Sequence, residues 1–195
     1  GVYALPDQGS LSCFFAKYDA NGNFVWAHPL GRVNQQNLTA IVIDKTTNDV
    51  VITGDFSGTV DFSYAGSPTA TFNSGGISNF VARYANNGTY KWVRYLPGSG
   101  NGILSSLKVD NQSNIIITGN FSGQFYANGS AGTALTANGA NDVLVASYKS
   151  DGTLNWAENF GSPSSDATSR YVSVDVNNNI FIAGYFTGTV NIDPM

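Results

Sequence analysis

Apolar and polar positions along the chain follow one pattern that returns three times. Phe14 to Gly31 (FFAKYDANGNFVWAHPLG), Phe80 to Gly98 (FVARYANNGTYKWVRYLPG) and Leu144 to Gly161 (LVASYKSDGTLNWAENFG) each hold an apolar run ending in Tyr, a turn with Gly, and a second run around a Trp. A second pair of segments recurs between them: Leu38 to Asp44 with Val50 to Gly54, Leu104 to Asp110 with Ile115 to Gly119, and Tyr171 to Asp175 with Ile180 to Gly184. Gly54, Gly119 and Gly184 are spaced 65 residues apart. No segment shows a sustained 3.6-residue period, so helices are not expected.

Each unit reads as four β-segments joined by Asp, Asn and Gly turn chemistry. The second segment (VVIT, IIIT, FIA) is apolar at both parities, which predicts a strand buried on both faces. The first and fourth segments alternate more. On the fourth, Tyr90, Trp92, Arg94 and Leu96 share one face, matched by Phe24, Trp26, His28 and Leu30 and by Leu154, Trp156, Glu158 and Phe160.

Four antiparallel segments at a fixed spacing, one of them buried on both sides, predict an all-β β-propeller of four-stranded blades, about 65 residues each. A β-solenoid repeat is usually much shorter, and an immunoglobulin-like domain needs about 100 residues. The expected divisions are the second half of a blade at 1–37, full blades at 38–103 and 104–169, and the first half of a blade at 170–195. The two end pieces match in phase, and joining them would remove two exposed strand edges. Rings typically have about four to eight blades. Two readings therefore stand: a homo-oligomer in which two copies close one ring, or a segment of a longer multi-blade chain.

The order V-D-x-x-x-N-I-I-I-T-G-x-F-S-G-T-V-D-F, then F-V-A-R-Y, Gly, Trp and Gly, resembles the bacterial SBBP-type β-propeller repeat. It is carried by Val109-Asp110, Asn114 to Gly119, Phe56 to Phe62, Phe80 to Tyr84, Gly88, Trp92 and Gly98. The resemblance covers nearly the whole chain. It implies an extracellular or cell-surface bacterial protein acting as an interaction or scaffold module without catalytic residues. Two departures stand out: the Asp that such repeats place before the F-V-A-K-Y run is kept at Asp142 but is Ser12 and Ser78 in the other copies, and the segment after F-S-G is long.

Composition narrows the partners. Charged residues make up 11% of the chain and the net charge is −4, against about 25% charged in an average soluble domain. Polarity comes from Asn, Ser, Thr and 22 glycines. Without a basic cluster, neither nucleic acid nor an anionic membrane is an expected partner. No apolar run approaches the roughly 18 residues of a membrane-spanning helix. One Cys and one His cannot build a multi-Cys zinc site, a metal triad or a Ser-His-Asp site within one chain.

Candidate ligand-binding residues are those that recur in register. Trp26, Trp92 and Trp156 could stack on sugars, but recurrence at one phase also suits packing between blades, and the packing reading is favoured. His28, Arg94 and Glu158 stand two residues past each Trp and differ in charge, as residues tuned for recognition on a fixed scaffold would; a solvated strand end gives the same pattern. The Asp/Asn turns at 19–23, 110–114 and 175–179 resemble calcium loops only faintly and lack the D-x-D-x-D-G spacing, so Asx turns are favoured over calcium. Cys13 stands at the phase of Asn79 and Val143 and reads as a small buried side chain. The expectation is a non-enzymatic module with no cofactor, binding a protein at a propeller face, or alternatively a carbohydrate through equivalent inter-blade sites.

Overall fold

A computed structural model describes residues 3–5, 12–31, 35–63 and 70–193, and these fold as antiparallel sheets of two to four strands with no α-helix among them. The expected divisions at 1–37, 38–103 and 170–195 lie partly outside the described residues. Strands β1 (Cys13–Tyr18) and β2 (Phe24–Leu30) form a hairpin. Strands β3 (Gln36–Ile43), β4 (Val50–Asp61), β5 (Thr71–Tyr84) and β6 (Tyr90–Leu96) form a four-stranded sheet in chain order. After β7 (Gly102–Val109) and β8 (Ile115–Phe121) the chain makes a small ribbon, β9 (Gln124–Phe125) with β10 (Leu135–Thr136), around a 3-10 turn at Gly129–Ala131. It then adds β11 (Asp142–Tyr148) and β12 (Leu154–Phe160) to β7 and β8, completing a second four-stranded sheet. The last hairpin is β13 (Asp166–Val174) with β14 (Ile180–Thr187).

The sheets pack face to face, and the apolar clusters lie between them. Phe15 and Leu30 of the first hairpin meet Val50, Ile52, Phe80 and Ala82 of the first sheet. Val51 and Val81, on the opposite face of that sheet, meet Leu104, Leu107, Ile117 and Leu144. Ile116 and Val145 then meet Val172 of the last hairpin. Alternate residues of β4 and of β8 thus enter different clusters, which is why VVIT and IIIT read as apolar at both parities. The third strands β5 and β11 are buried on both faces as well over Phe80–Tyr84 and Leu144–Tyr148. Phe181 and Ile182 of β14 are exposed, because no further strand lies beyond β14 among the described residues.

The first strands start earlier than their alternation suggests, at Gln36, Gly102 and Asp166. A β-bulge is the reason. It falls between Leu38 and Ala40, between Leu104 and Ser106, and between Ser169 and Tyr171, and resets the parity so that the earlier residues look like loop. Each bulge lies opposite the glycine of the T-G or A-G pair. A Cβ on Gly54 would stand 1.9 Å from the Asn37 carbonyl oxygen, on Gly119 2.1 Å from that of Ile103, and on Gly184 2.0 Å from that of Thr168. The bulged backbone occupies the space of a side chain, so only glycine fits.

Substituting Ile117, fully buried between the sheets, and Ile103, half exposed on the neighbouring strand, separates packing from propensity. Ile117→Ala is expected to cost about 2–5 kcal/mol through lost burial and a cavity. Ile103→Ala should cost about 1 kcal/mol or less, both read from urea midpoints at constant slope.

Candidate functional site

The recurrent Trp residues sit on the outermost strand of each unit, and the structure fixes what they face. The Trp26 indole donates from Nε1 to the Asn86 carbonyl at 3.1 Å, and Trp92 donates to the Ser150 carbonyl at 3.0 Å. Asn86 and Ser150 occupy one position in the β5–β6 and β11–β12 turns, so each Trp reaches from its own sheet to the turn of the next. The third-strand residue paired with each Trp converges on the same turn. Lys17 donates to Asn86 through its Oδ1 at 2.5 Å, and Arg83 to the Ser150 carbonyl at 3.4 Å. Trp156 is paired with Ser147, has no such turn beyond it among the described residues, and is 39% exposed.

The residues two places past each Trp follow the same rule. Arg94 donates from Nε to the Gly152 carbonyl at 2.5 Å. His28 lies against Gly88, between the Phe15, Trp26 and Tyr84 rings. Burial pushes the His28 pKa down, a hydrogen bond with the Gly88 backbone offsets this in part, and the ring is neutral at pH 7. Gly88 and Gly152 have φ of +87° and +83°, and a Cβ would meet His28 at 2.3 Å in the first case and Trp92 at 3.1 Å in the second. Glu158 is exposed, and it lines a polar cavity of about 260 Å³ with Thr136, Asn138, Asn159, Gly161, Asn191 and Asp193. The structure therefore does not gather the six recurrent residues into one pocket. It sets Trp26 with His28 in the first seam, Trp92 with Arg94 in the second, and leaves Trp156 with Glu158 without a facing turn among the described residues.

Sequence reasoning missed a buried ionic cluster. Arg83 binds Asp44 at 2.5 Å and Asp49 at 2.7 Å, with 3% of its side chain exposed, and Lys91 binds Asp49 at 2.6 Å. Ser113 of the next sheet donates to Asp44 at 3.2 Å, so the cluster also ties two sheets. Burial alone would push both carboxyls up. Hydrogen bonds from Thr46, Ser113 and Arg83 at Asp44, and from Lys91 and Arg83 at Asp49, overcome that and hold both below the ordinary Asp value. A signal was present. Where this unit has Asp49 and Arg83, the next has Asn114 and Ser147, and there Asn114 donates directly to Asp110 at 2.8 Å. An Asp cannot donate to an Asp, so the change to Asp49 goes with a cation that bridges the two.

Other candidates are tied up locally. Asp19, Asp110 and Asp175 accept from backbone amides within their own turns and from the side chains of Asn23, Asn114 and Asn179. Cys13 donates from Sγ to the Gln36 carbonyl, as Asn79 donates to Gly102 one repeat later, and burial pushes the thiol pKa up. Among the described residues, no group of three or more His, Cys, Asp or Glu is placed to hold a metal ion.

No protein-family profile matches the chain. It is 28% identical over 169 residues to an uncharacterized WD repeat-containing protein of Acanthamoeba polyphaga mimivirus, an alignment spanning 80% of this chain and 12% of that protein's length. WD repeats build four-stranded propeller blades, so this likeness, with the antiparallel sheets, suggests a β-propeller repeat family.

Three substitutions test the seams. Arg83→Ser leaves two buried carboxylates without their bridge and should cost about 3–5 kcal/mol; adding Asp49→Asn supplies the amide used in the neighbouring unit and should recover more than half, read as coupling in a double-mutant cycle. Trp92→Phe removes the donor to Ser150 and part of the half-buried ring, and should lower stability by about 1–2 kcal/mol in urea unfolding.

Proposed function

We propose that the chain is a non-catalytic β-propeller module of the bacterial SBBP type, presented outside the cell, that docks another protein. The observation that carries this reading is the use made of the recurrent polar groups. Trp26, Trp92, Lys17, Arg83 and Arg94 are engaged with the turns of neighbouring sheets. The one His is enclosed by aromatic rings, and the one Cys donates to a carbonyl. Nothing in that set pairs a nucleophile with a base. The likeness to a WD repeat-containing protein fits a protein-interaction scaffold. The proposal assigns no cofactor and no calcium.

The docking surface is placed at the sheet ends that carry the segments after F-S-G. The two copies differ most there: one extends β4 and β5 into a long ribbon, and the other builds β9, β10 and the 3-10 turn. Variable loops on a constant frame are where recognition is usually built.

A second reading, carbohydrate binding, draws on the amide-rich cavity beside Glu158 and the exposed face of Trp156. A glycan array separates the two. The protein-docking reading expects uniform silence down to about millimolar affinity. A specific glycan signal abolished by Trp156→Ala would replace it with the carbohydrate reading.

A further inference from the structure

We propose that the open face of β13–β14 is completed by the β1–β2 hairpin of a second copy of this chain, in one defined register. The inference rests on the sheet geometry and not on the ligand class proposed above.

The first observation is a groove of about 390 Å³ lined by Val143, Phe160, Ile182, Phe186, Val190 and Ile192. Ile182 and Phe186 repeat the positions of Ile117 and Phe121 in the preceding unit, and those two are buried against Leu144, Ala146 and Tyr148 of β11. The last unit has the groove, and among the described residues no third strand lies over it. The second observation is its complement. Phe14 and Tyr18 of β1 occupy the repeat positions of Leu144 and Tyr148, and of Phe80 and Tyr84. Those four are at most 2% exposed, whereas Phe14 is 62% and Tyr18 60% exposed. One end of the chain shows the side chains that the other end is shaped to take.

The register follows from the two complete sheets. Leu144 opposes Gly119 and Tyr148 opposes Ile115; likewise Phe80 opposes Gly54 and Tyr84 opposes Val50. Phe14 of a second copy therefore opposes Gly184, Ala16 opposes Ile182, and Tyr18 opposes Ile180. A hydrogen bond fixes the end of this register. The Tyr84 hydroxyl donates to the Phe62 carbonyl at 2.8 Å and the Tyr148 hydroxyl to the Ala127 carbonyl at 2.8 Å. Phe62 and Ala127 stand four residues after Gly58 and Gly123, and the residue four after Gly188 is Ile192. The Ile192 carbonyl is thus the acceptor for Tyr18 across the interface.

A third observation lies outside the groove. The turns that receive the Trp26 and Trp92 indoles have Gly88 and Gly152 pressed against the preceding sheet. Gly22 holds the same turn position with φ +81°, and a Cβ placed there would have nothing within 4 Å. The β1–β2 turn is therefore a receiving turn with no indole against it, and the exposed Trp156 is, among the described residues, an indole with no turn. Docking the hairpin on β14 brings them together, with the Ala20 carbonyl as acceptor. The pairing is head to tail, so two copies close on each other through two identical seams.

The test is the mass in solution of the 195-residue chain and its variants at about 10 μM, where a complex of micromolar Kd is populated. Wild type is expected at twice the 20.6 kDa chain mass. Phe14→Asp and Ile182→Asp, made separately, should each return a single-chain mass with unchanged far-UV circular dichroism. An equimolar mixture of the two should regain a two-chain species, because one seam then joins an intact hairpin to an intact groove. Tyr18→Phe should keep the pairing and weaken its Kd by roughly tenfold. A single-chain wild type overturns the proposal, as do larger oligomers that grow with concentration. A dimer that loses Phe14 but tolerates Ile182→Asp also overturns it, since that is hairpin meeting hairpin.

Discussion

A four-stranded sheet with two apolar faces cannot stand alone in water, and both complete sheets of this protein are of that kind. Val50 and Ile52 face one neighbour while Val51 faces the other, and Ile116 and Ile117 divide in the same way. Burying each such side chain contributes about 1.5–3 kcal/mol, and the contribution exists only while both neighbours are present. The order of the sheets, their face-to-face stacking and the exposure of apolar residues at the two ends all follow from this. The inner units are closed by what lies on either side. Among the described residues the β1–β2 and β13–β14 hairpins have a sheet on one side only.

Packing alone would let the sheets slide, and polar contacts set their alignment. Trp26 with Lys17, and Trp92 with Arg83, each reach one carbonyl in the next turn, so the outer edge of a seam is pinned at a point. The inner edge is pinned at the start of the first strand, where Cys13 reaches Gln36 and Asn79 reaches Gly102. A thiol and an amide do the same work at one repeat position because the geometry asks only for a short donor. The ionic cluster obeys a similar rule. Asp44 needs a donor near it, as Asp110 does one repeat later, and the chain supplies an arginine in one unit and an amide in the other.

Much of this was legible in the sequence because it recurs. The strands, the turns and the glycine after each VVIT-like run follow from periodicity and composition, and the structure supplies the reason for the glycine, a bulged carbonyl in the space of its side chain. The early start of β3, β7 and β13 was hidden by that same bulge, which shifts parity by one residue and makes a paired strand look like connector. The Arg83 cluster was hidden for a different reason: its members lie 34 and 39 residues apart along the chain, and only a comparison of Asp49 with Asn114 and of Arg83 with Ser147 together points to it. The partners of the tryptophans were out of reach, since a donor's target in the next sheet leaves no mark on local pattern.

The variation at His28, Arg94 and Glu158 takes on a definite physical meaning in this frame. The turn glycine presents its backbone to whatever stands two residues past the Trp. An imidazole or a guanidinium can answer, and Arg94 does so at 2.5 Å with a charge-assisted bond. A carboxylate has no proton to offer at neutral pH, so Glu158 cannot repeat the contact. It stands instead over an amide-rich cavity that it shares with Asn138, Asn159 and Asn191. A position that differs in charge from copy to copy is thus constrained twice within the stack, to be a donor and to fit under a glycine. Glu158, with no turn glycine against it among the described residues, is under neither constraint.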